Sequence, residues 1–417
     1  MVRRRLEAYL DKVFGFAGLV AALPEGRTDP LHPWTKVFDA VFLGSACQFA
    51  TVHRIEFESR DGVLSKRIGP ISEDTLGYAM QRQDIPSLFD LGCAIAKRLK
   101  RNGVLDSEWA RGRVVAAVDG IEICSSYARC CGMCLERKVE RKVDGELRKC
   151  LQYYHRVSAV TLVSTPFPVF LGIRFQQAGE TEVACSLDLL RQLTGQLGRR
   201  FFDVLVADAI YLQTPFVAAI ESLGLDWVIN LKDNQPALLA EAERLTTAPA
   251  SSEWSAGNED FSLWHLPEVD WPVANRLVRV VKTVRVQKIK RVKIKGPGEP
   301  RDKKKEEVSI QGTNFYATNL ELGSISPKFI HQLGRSRWTI DATAFQTLTT
   351  DCHLKQPSVH QDVALVVLTM IRVLAYTLTT VFYHRQVRSH CRKRPPSFCE
   401  MARTLALALF ADAPDTS

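Results

Sequence analysis

The chain has 417 residues, enough for two or three folding units of ~100–200 residues each. With 46% hydrophobic and 24% charged residues it can build real cores, which excludes a largely disordered chain. A net charge of +9 favours a polyanionic partner such as nucleic acid, with a plainly solvated basic surface as the alternative.

The first residues, MVRRRLEAYLDKVFGFAGLVAAL, place basic residues before an apolar stretch. Glu7, Asp11 and Lys12 interrupt that stretch at helical spacing, so an amphipathic helix is expected rather than a targeting segment. Residues 1 to about 105 read as helical. Ser72 is an N-cap with acidic residues in the first turn after it, and LFDLGCAIAKRL (Leu88 to Leu99) is a helix broken by Asn102-Gly103.

The period then changes. Val114 to Val118 is a continuous apolar run ending in Asp119-Gly120, the pattern of a strand buried on both faces. Tyr153 to Ser164 and Pro168 to Gln177 are strand-like and separated by a turn; Cys185 to Leu197 is helical. Phe201 to Ala207 is a second buried strand, delivering Asp208. A helix, Thr214 to Leu223, is closed by Gly224, and Asp226 to Leu231 is a further strand. The order predicts an α/β fold: an RNase H-like core, a mixed five-stranded sheet flanked by helices. A rigid sheet can hold two carboxylates at its strand ends.

After a short helix (Ala237 to Arg244), Val278 to Lys295 interleaves β-branched and basic residues as a strand with a cationic face. Gly296-Pro297-Gly298 reads as a turn before a charged loop. Asn314 to Leu320 (NFYATNL) returns to the core and helices dominate from Pro327 to about Phe410. The expected organisation is a helical DNA-binding and assembly region over 1–105 and a core over 106–233. A β-rich basic insertion over 234–313 follows, then the second part of the core over 314–385 and a basic tail over 386–417. Val363 to Phe382 carries Arg372 near its middle, so a buried core helix is expected rather than a membrane span.

Two-metal phosphodiester chemistry needs several hard oxygen ligands around a pair of Mg²⁺ ions. Asp119 and Asp208 are candidates for two of them. The third should come from a helix after the insertion, within RWTIDATAFQTLTTDCHL. Here Arg337, Trp338, Ile340, Phe345, Leu348, Thr350 and Asp351 match the signature Arg-Trp-x-Ile-Glu-Asn, Phe, Leu-Lys-Thr-Asp. On these residues the sequence resembles the DDE transposases of bacterial insertion sequences, the group with a β-rich insertion before the third acid. NFYATNL resembles the strand before that helix, and LVADAIYLQTPFVAAIESLGLDWVINLKDN the second-acid block, with Lys232 at its common lysine. The resemblance covers residues 35 to 385.

The resemblance implies a catalytic triad of Asp119, Asp208 and Asp341 holding two Mg²⁺ (or Mn²⁺) ions. It also implies cleavage at element ends, strand transfer into double-stranded target DNA, and a homodimer on paired ends. No membrane partner is expected, and a cytoplasmic, nucleoid-associated location follows from these readings. Two departures stand out: the glutamate is Asp341, one methylene or about 1.5 Å shorter, and the lysine after Leu348 is Thr349. They leave open a catalytically impaired or domesticated DNA-binding relative; a plain nuclease is a third reading.

Arg337, Lys232 and Trp338 are expected at the DNA, Arg337 contacting phosphate or pairing with the acids. Cations of the insertion strand, Arg285, Lys288, Lys290, Arg291 and Lys293 among them, can neutralise phosphates, with Trp254, Trp264 and Trp271 as stacking faces or as a small core. The 11 cysteines are expected as reduced thiols. Cys131 and Cys134 have C-x₂-C spacing, and Cys150 with His155, or Cys124, could complete a structural Zn²⁺ site.

Overall fold

The computed structural model describes residues 2–143, 145–292, 305–323, 325–390 and 394–411; residues 2–4, 143, 290–292, 305–307 and 390 are described by backbone alone. They form two compact units, residues 1–202 with 338–417, and residues 203–337.

The first unit begins with six helices: α1 (Val2–Phe14), α2 (Phe16–Ala21), α3 (Trp34–Ala46), α4 (Val52–Arg60), α5 (Glu73–Met80) and α6 (Ile85–Arg101). Their starts follow the local chemistry. Ser72 accepts from the Thr75 N–H and Asp84 from the Ser87 N–H, each supplying an orphan donor of the first turn. Gly103, at φ 63°, ends the α6 region as expected. Next come β1 (Val115–Ser126), β2 (Leu135–Val143), β3 (Glu146–Leu162), β4 (Val169–Phe175) and α7 (Glu182–Leu197). β1 pairs antiparallel with β3, β4 pairs antiparallel with β3, and β2 forms a hairpin with the first half of β3.

Two expectations are refined here. β1 does not stop at Asp119 but runs on to Ser126, because β3 pairs with it from Ala116 to Ser126. β2, LERKVERKV, went unseen in the sequence because its charges interrupt any apolar alternation.

The second unit holds β5 (Val204–Ala207), α8 (Thr214–Ser222), β6 (Asp226–Leu231), α9 (Pro236–Leu245), β7 (Ser252–Ala256), β8 (Glu259–Trp271), β9 (Arg276–Val292), β10 (Lys305–Thr318) and α10 (Pro327–Ser336). β5 and β6 are parallel, with α8 as their crossover. β7 to β10 are antiparallel neighbours in chain order. β10 pairs with β9 along its length and with β6 over Phe315–Thr318. The expected border at residue 313 therefore falls inside one continuous strand. Apart from the β2 hairpin, the antiparallel strands β1, β3 and β4, then α7, then the parallel strands β5 and β6 joined by α8, follow the element order of an RNase H-like core in a mixed α/β protein. The turn expected at Gly296-Pro297-Gly298 and the charged loop after it lie outside the described residues.

The chain then returns to the first unit through a π-helical stretch, Ile340–Phe345, followed by α11 (Gln346–Thr350), α12 (Asp362–Phe382), a second π-helical stretch over Tyr383–Val387 and α13 (Phe398–Ala411). One helical segment, Asp362–Val387, is long and apolar enough to cross a membrane, and 89% of its most apolar window is buried inside the protein. It is the core helix that Arg372 suggested. Arg372 is 4% exposed and donates to the carbonyls of Ala50, His353 and Gln356. The basic tail expected over 386–417 contains a packed helix: α13 buries Met401, Ala402, Leu405 and Leu409 and lies against α1.

Candidate functional site

In the first unit, Asp119 stands in β1 directly opposite Ala159 of β3, and its Oδ1 accepts the Gly120 N–H at 2.8 Å. A Cβ on Gly120 would meet the Glu182 carboxylate of α7 at 2.6 Å, so Gly120 faces α7. Alternation along the strand puts Asp119 on the opposite face of the sheet. The α7 face is closed by an ion pair between Arg156 and Glu182 at 2.7 Å.

Asp341 lies in the π-helical stretch Ile340–Phe345, which packs against β1. π-turns insert an extra residue per turn and recur at functional sites. Ile340, Ala344 and Phe345 are buried while Asp341 is half-buried, so the turn keeps its apolar side inward and its acid at the margin. Trp338 is 53% exposed. α11 ends at Thr350 and Asp351 follows it.

In the second unit, Asp208 follows β5 and N-caps a 3₁₀ turn, Ala209–Tyr211. Its Oδ1 accepts from Lys232 Nζ at 3.0 Å and from Asn230 Nδ2 at 3.1 Å. Burial pushes the Asp208 carboxyl up, but the Lys232 ammonium, the Ala209 N–H, the Arg337 guanidinium and Asn230 outweigh it and hold the group below the usual carboxylate range. Arg337, 5% exposed, closes α10, which packs on β5 and β6. Its charge is one of the causes that lower the Asp208 pKa.

Asn230 was missed in the sequence. It sits two residues before Lys232, hence on the same face of the strand, and a polar residue at a buried strand's end with that spacing was the available signal.

The insertion cations are matched rather than bare. Arg285 pairs with Glu259 at 3.0 Å and Lys288 with Asp260 at 3.1 Å. Lys282 bonds Thr246 and lies over the Trp264 ring. Trp271 is fully buried against Trp227, and Trp254 stacks on Phe261, so these two rings build core. The side chains of Lys290 and Arg291, and all of Lys293, lie outside the described residues.

A separate group gathers in the first unit. Cys131 Sγ and Cys134 Sγ are 3.8 Å apart, and lie 3.4 and 3.3 Å from His155 Nε2. Cys150, offered with them from the sequence, is not in the group. It stands in β3 opposite Val139, five residues from His155, and an odd separation along a strand points two side chains to opposite faces.

The model of the family described as a transposase DDE domain matches residues 140–378, a span that contains Asp208 and Asp341 and begins after Asp119. No curated protein matches the chain. Among solved structures, the chain is similar to a piggyBac transposase in a cryo-EM synaptic complex with hairpin DNA. The two are 12% identical over 98% of this chain and 79% of that one, with a TM-score of 0.44.

Proposed function

Because this chain belongs to the transposase DDE domain family, we propose that it is an enzyme that cuts DNA at the ends of an insertion sequence and joins the freed 3′-hydroxyl to target DNA. Asp119, Asp208 and Asp341 are the carboxylates of that reaction. Their hard oxygens suit Mg²⁺ or Mn²⁺ rather than a thiolate-seeking ion. When bound, a pair of such ions would activate the attacking oxygen and stabilise the leaving one.

The observation that carries the reading is the setting of Asp208. Asn230, Lys232 and the Arg337 charge keep an acid at the end of a buried strand ionised at neutral pH. That is the state in which a carboxylate can hold a cation. Lys232, 59% exposed at its side chain, can turn from Asp208 towards a phosphate without crossing a packed core. Trp338 offers an exposed ring beside the third acid for the DNA. Lys288 can neutralise a phosphate by exchanging its exposed partner Asp260, which costs little at a surface, whereas Arg285 is held by the more buried Glu259. Double-stranded DNA and a second copy of the chain on paired ends are the proposed partners.

The test is cleavage of a plasmid carrying the DNA that flanks the chain's own gene, with Mg²⁺ or Mn²⁺. End-specific nicks and joined products are expected from the wild type and background levels from Asp119→Asn, Asp208→Asn and Asp341→Asn, each still binding the ends. Cleavage unaffected by all three substitutions would overturn the assignment. A second reading, a DNA-binding relative without turnover, rests on Asp341 and Thr349 standing where the family pattern has Glu and Lys. It predicts a wild type that binds and never cuts, with cutting restored by Asp341→Glu. Cutting of arbitrary duplex without joining would identify a nuclease instead.

A further inference from the structure

We propose that the first unit carries a structural zinc site, separate from the carboxylates, made by Cys124, Cys131, Cys134 and His155. The separations of the three central donors fit a metal. With Zn–S near 2.3 Å and Zn–N near 2.0–2.1 Å, a tetrahedron has S···S edges of about 3.8 Å and S···N edges of about 3.5 Å. The corresponding distances here are 3.8 Å for the sulfur pair and 3.3 and 3.4 Å from sulfur to nitrogen. Thiols and a histidine in van der Waals contact gain little from one another as hydrogen-bonding partners, whereas as ligands they satisfy one soft ion.

Cys124 Sγ stands outside the set of donors that lie within 4.8 Å of one another and would have to turn inward to become the fourth ligand; an irregularity in β1 puts it on the right side for that. The β1–β3 register runs Glu122 opposite Arg156 and then Cys124 opposite His155, leaving Ile123 as the extra residue of a bulge. Without it, Ile123 would face His155 and Cys124 would stand on the other side. A bulge re-aims a side chain in this way. Cys124 also lines the cavity shared by Cys131, Cys134 and His155, whose far wall is Pro357 and Leu365. The site has a structural task as well. Residues 127–134 are mostly exposed, with the Cys134 N–H to Cys131 carbonyl bond as their local turn. A metal would pin that loop to β3.

The test uses the full chain, expressed with zinc and desalted, with metal content measured alongside circular dichroism. Roughly one zinc ion per chain is expected for the wild type, Cys130→Ser and Cys150→Ser, and at least a tenfold drop for the double substitution Cys131→Ser/Cys134→Ser. Because that variant can misfold, the wild type stripped by chelator is also titrated with Co²⁺. An intense tetrahedral spectrum with thiolate-to-cobalt charge transfer is expected, weakened by about a third in Cys124→Ser as three thiolates become two.

Zinc below a tenth of the chain, with no tetrahedral cobalt spectrum, overturns the site; so does a Cys131–Cys134 disulfide persisting in protein prepared without oxygen. Asp362, whose Oδ2 lies 3.4 Å from where a Gly132 Cβ would stand, is the rival fourth donor. An unchanged spectrum in Cys124→Ser together with a changed one in Asp362→Asn overturns the assignment of Cys124.

Discussion

Replacing Gly334 by alanine tests how α10 is seated. A Cβ at Gly334 would lie 2.2 Å from Tyr316 Cε1 and 2.3 Å from Cδ1, where ordinary contacts begin near 3.4 Å. The helix or the ring must therefore yield by about 1.2 Å. Tyr316 is 1% exposed and wedged against His331, so the ring has little room. Two effects of opposite sign compete. Overpacking costs about 1–3 kcal/mol, while removing a glycine from a helix interior contributes about 1 kcal/mol. The clash should win in the wild-type background, giving a net loss of up to about 2 kcal/mol. In a Tyr316→Val background the ring is gone and the same substitution should stabilise by up to about 1 kcal/mol. Urea midpoints at unchanged m-value read both quantities. Displacing α10 also moves Arg337, whose charge helps to hold the Asp208 proton off. Gly334→Ala should therefore raise the Asp208 titration, read by carbon NMR of labelled aspartate. The same sign of stability change in both backgrounds would refute the packing argument.

The other expectations can be measured on the same protein. Arg372→Met leaves three buried carbonyls without their donor and should cost about 3–5 kcal/mol by denaturant unfolding; a loss under about 1 kcal/mol would show that the carbonyls find other partners. His331, ringed by Trp254, Phe261 and Tyr316, has its pKa pulled down to about 4 by burial and the Arg335 charge. The unfolded chain takes up this proton near pH 6.5 while the folded one refuses it, so stability should fall as pH drops from about 6.5 to 4, by up to about 3 kcal/mol. His331→Phe should flatten that slope, and an unchanged slope would remove His331 as its cause. Lys232→Met removes the leading bond that lowers the Asp208 pKa, so the group should titrate at higher pH; no movement would mean that Asn230 and Arg337 suffice.

The parts of this structure that were legible in the sequence are those where burial imposes a pattern. Val115 to Val118 and Val204 to Ala207 are buried on both faces and read as unbroken apolar runs, which placed Asp119 and Asp208. β2 has no such face, so its charges hid it. The pairing of Arg285 with Glu259 joins positions 26 residues apart, and spacing along the chain carries no sign of it. The π-turn at Asp341 escaped for a related reason: apolar periodicity fixes which side of a helix is buried, but not whether its carbonyls are taken by the fourth or the fifth following residue. Cys150 stands outside the cysteine–histidine group because in a strand the parity of the separation from His155 decides the face.

The same parity rule bears on how β1 is used. Asp119 stands opposite Ala159, and Cys124 opposite His155. Ala159 and His155 are four residues apart on β3, so they share a face, separated by about 13 Å along the strand. Asp119 and Cys124 are five apart on β1 and would face opposite ways in a regular strand. The extra residue at Ile123 restores them to one side, the side away from α7. One strand thus presents a hard carboxylate near its middle and a soft thiol towards its end on a single face, and the π-turn carrying Asp341 packs against that strand. A loop fastened by a soft ion at the thiol end would brace the strand without competing for the carboxylate's ion, because thiolate and carboxylate ligands select different metals. In this arrangement the bulge serves the thiol end: a regular register that kept Ile123 opposite His155 would turn Cys124 to the other face, while Asp119 would stay in its pairing with Ala159.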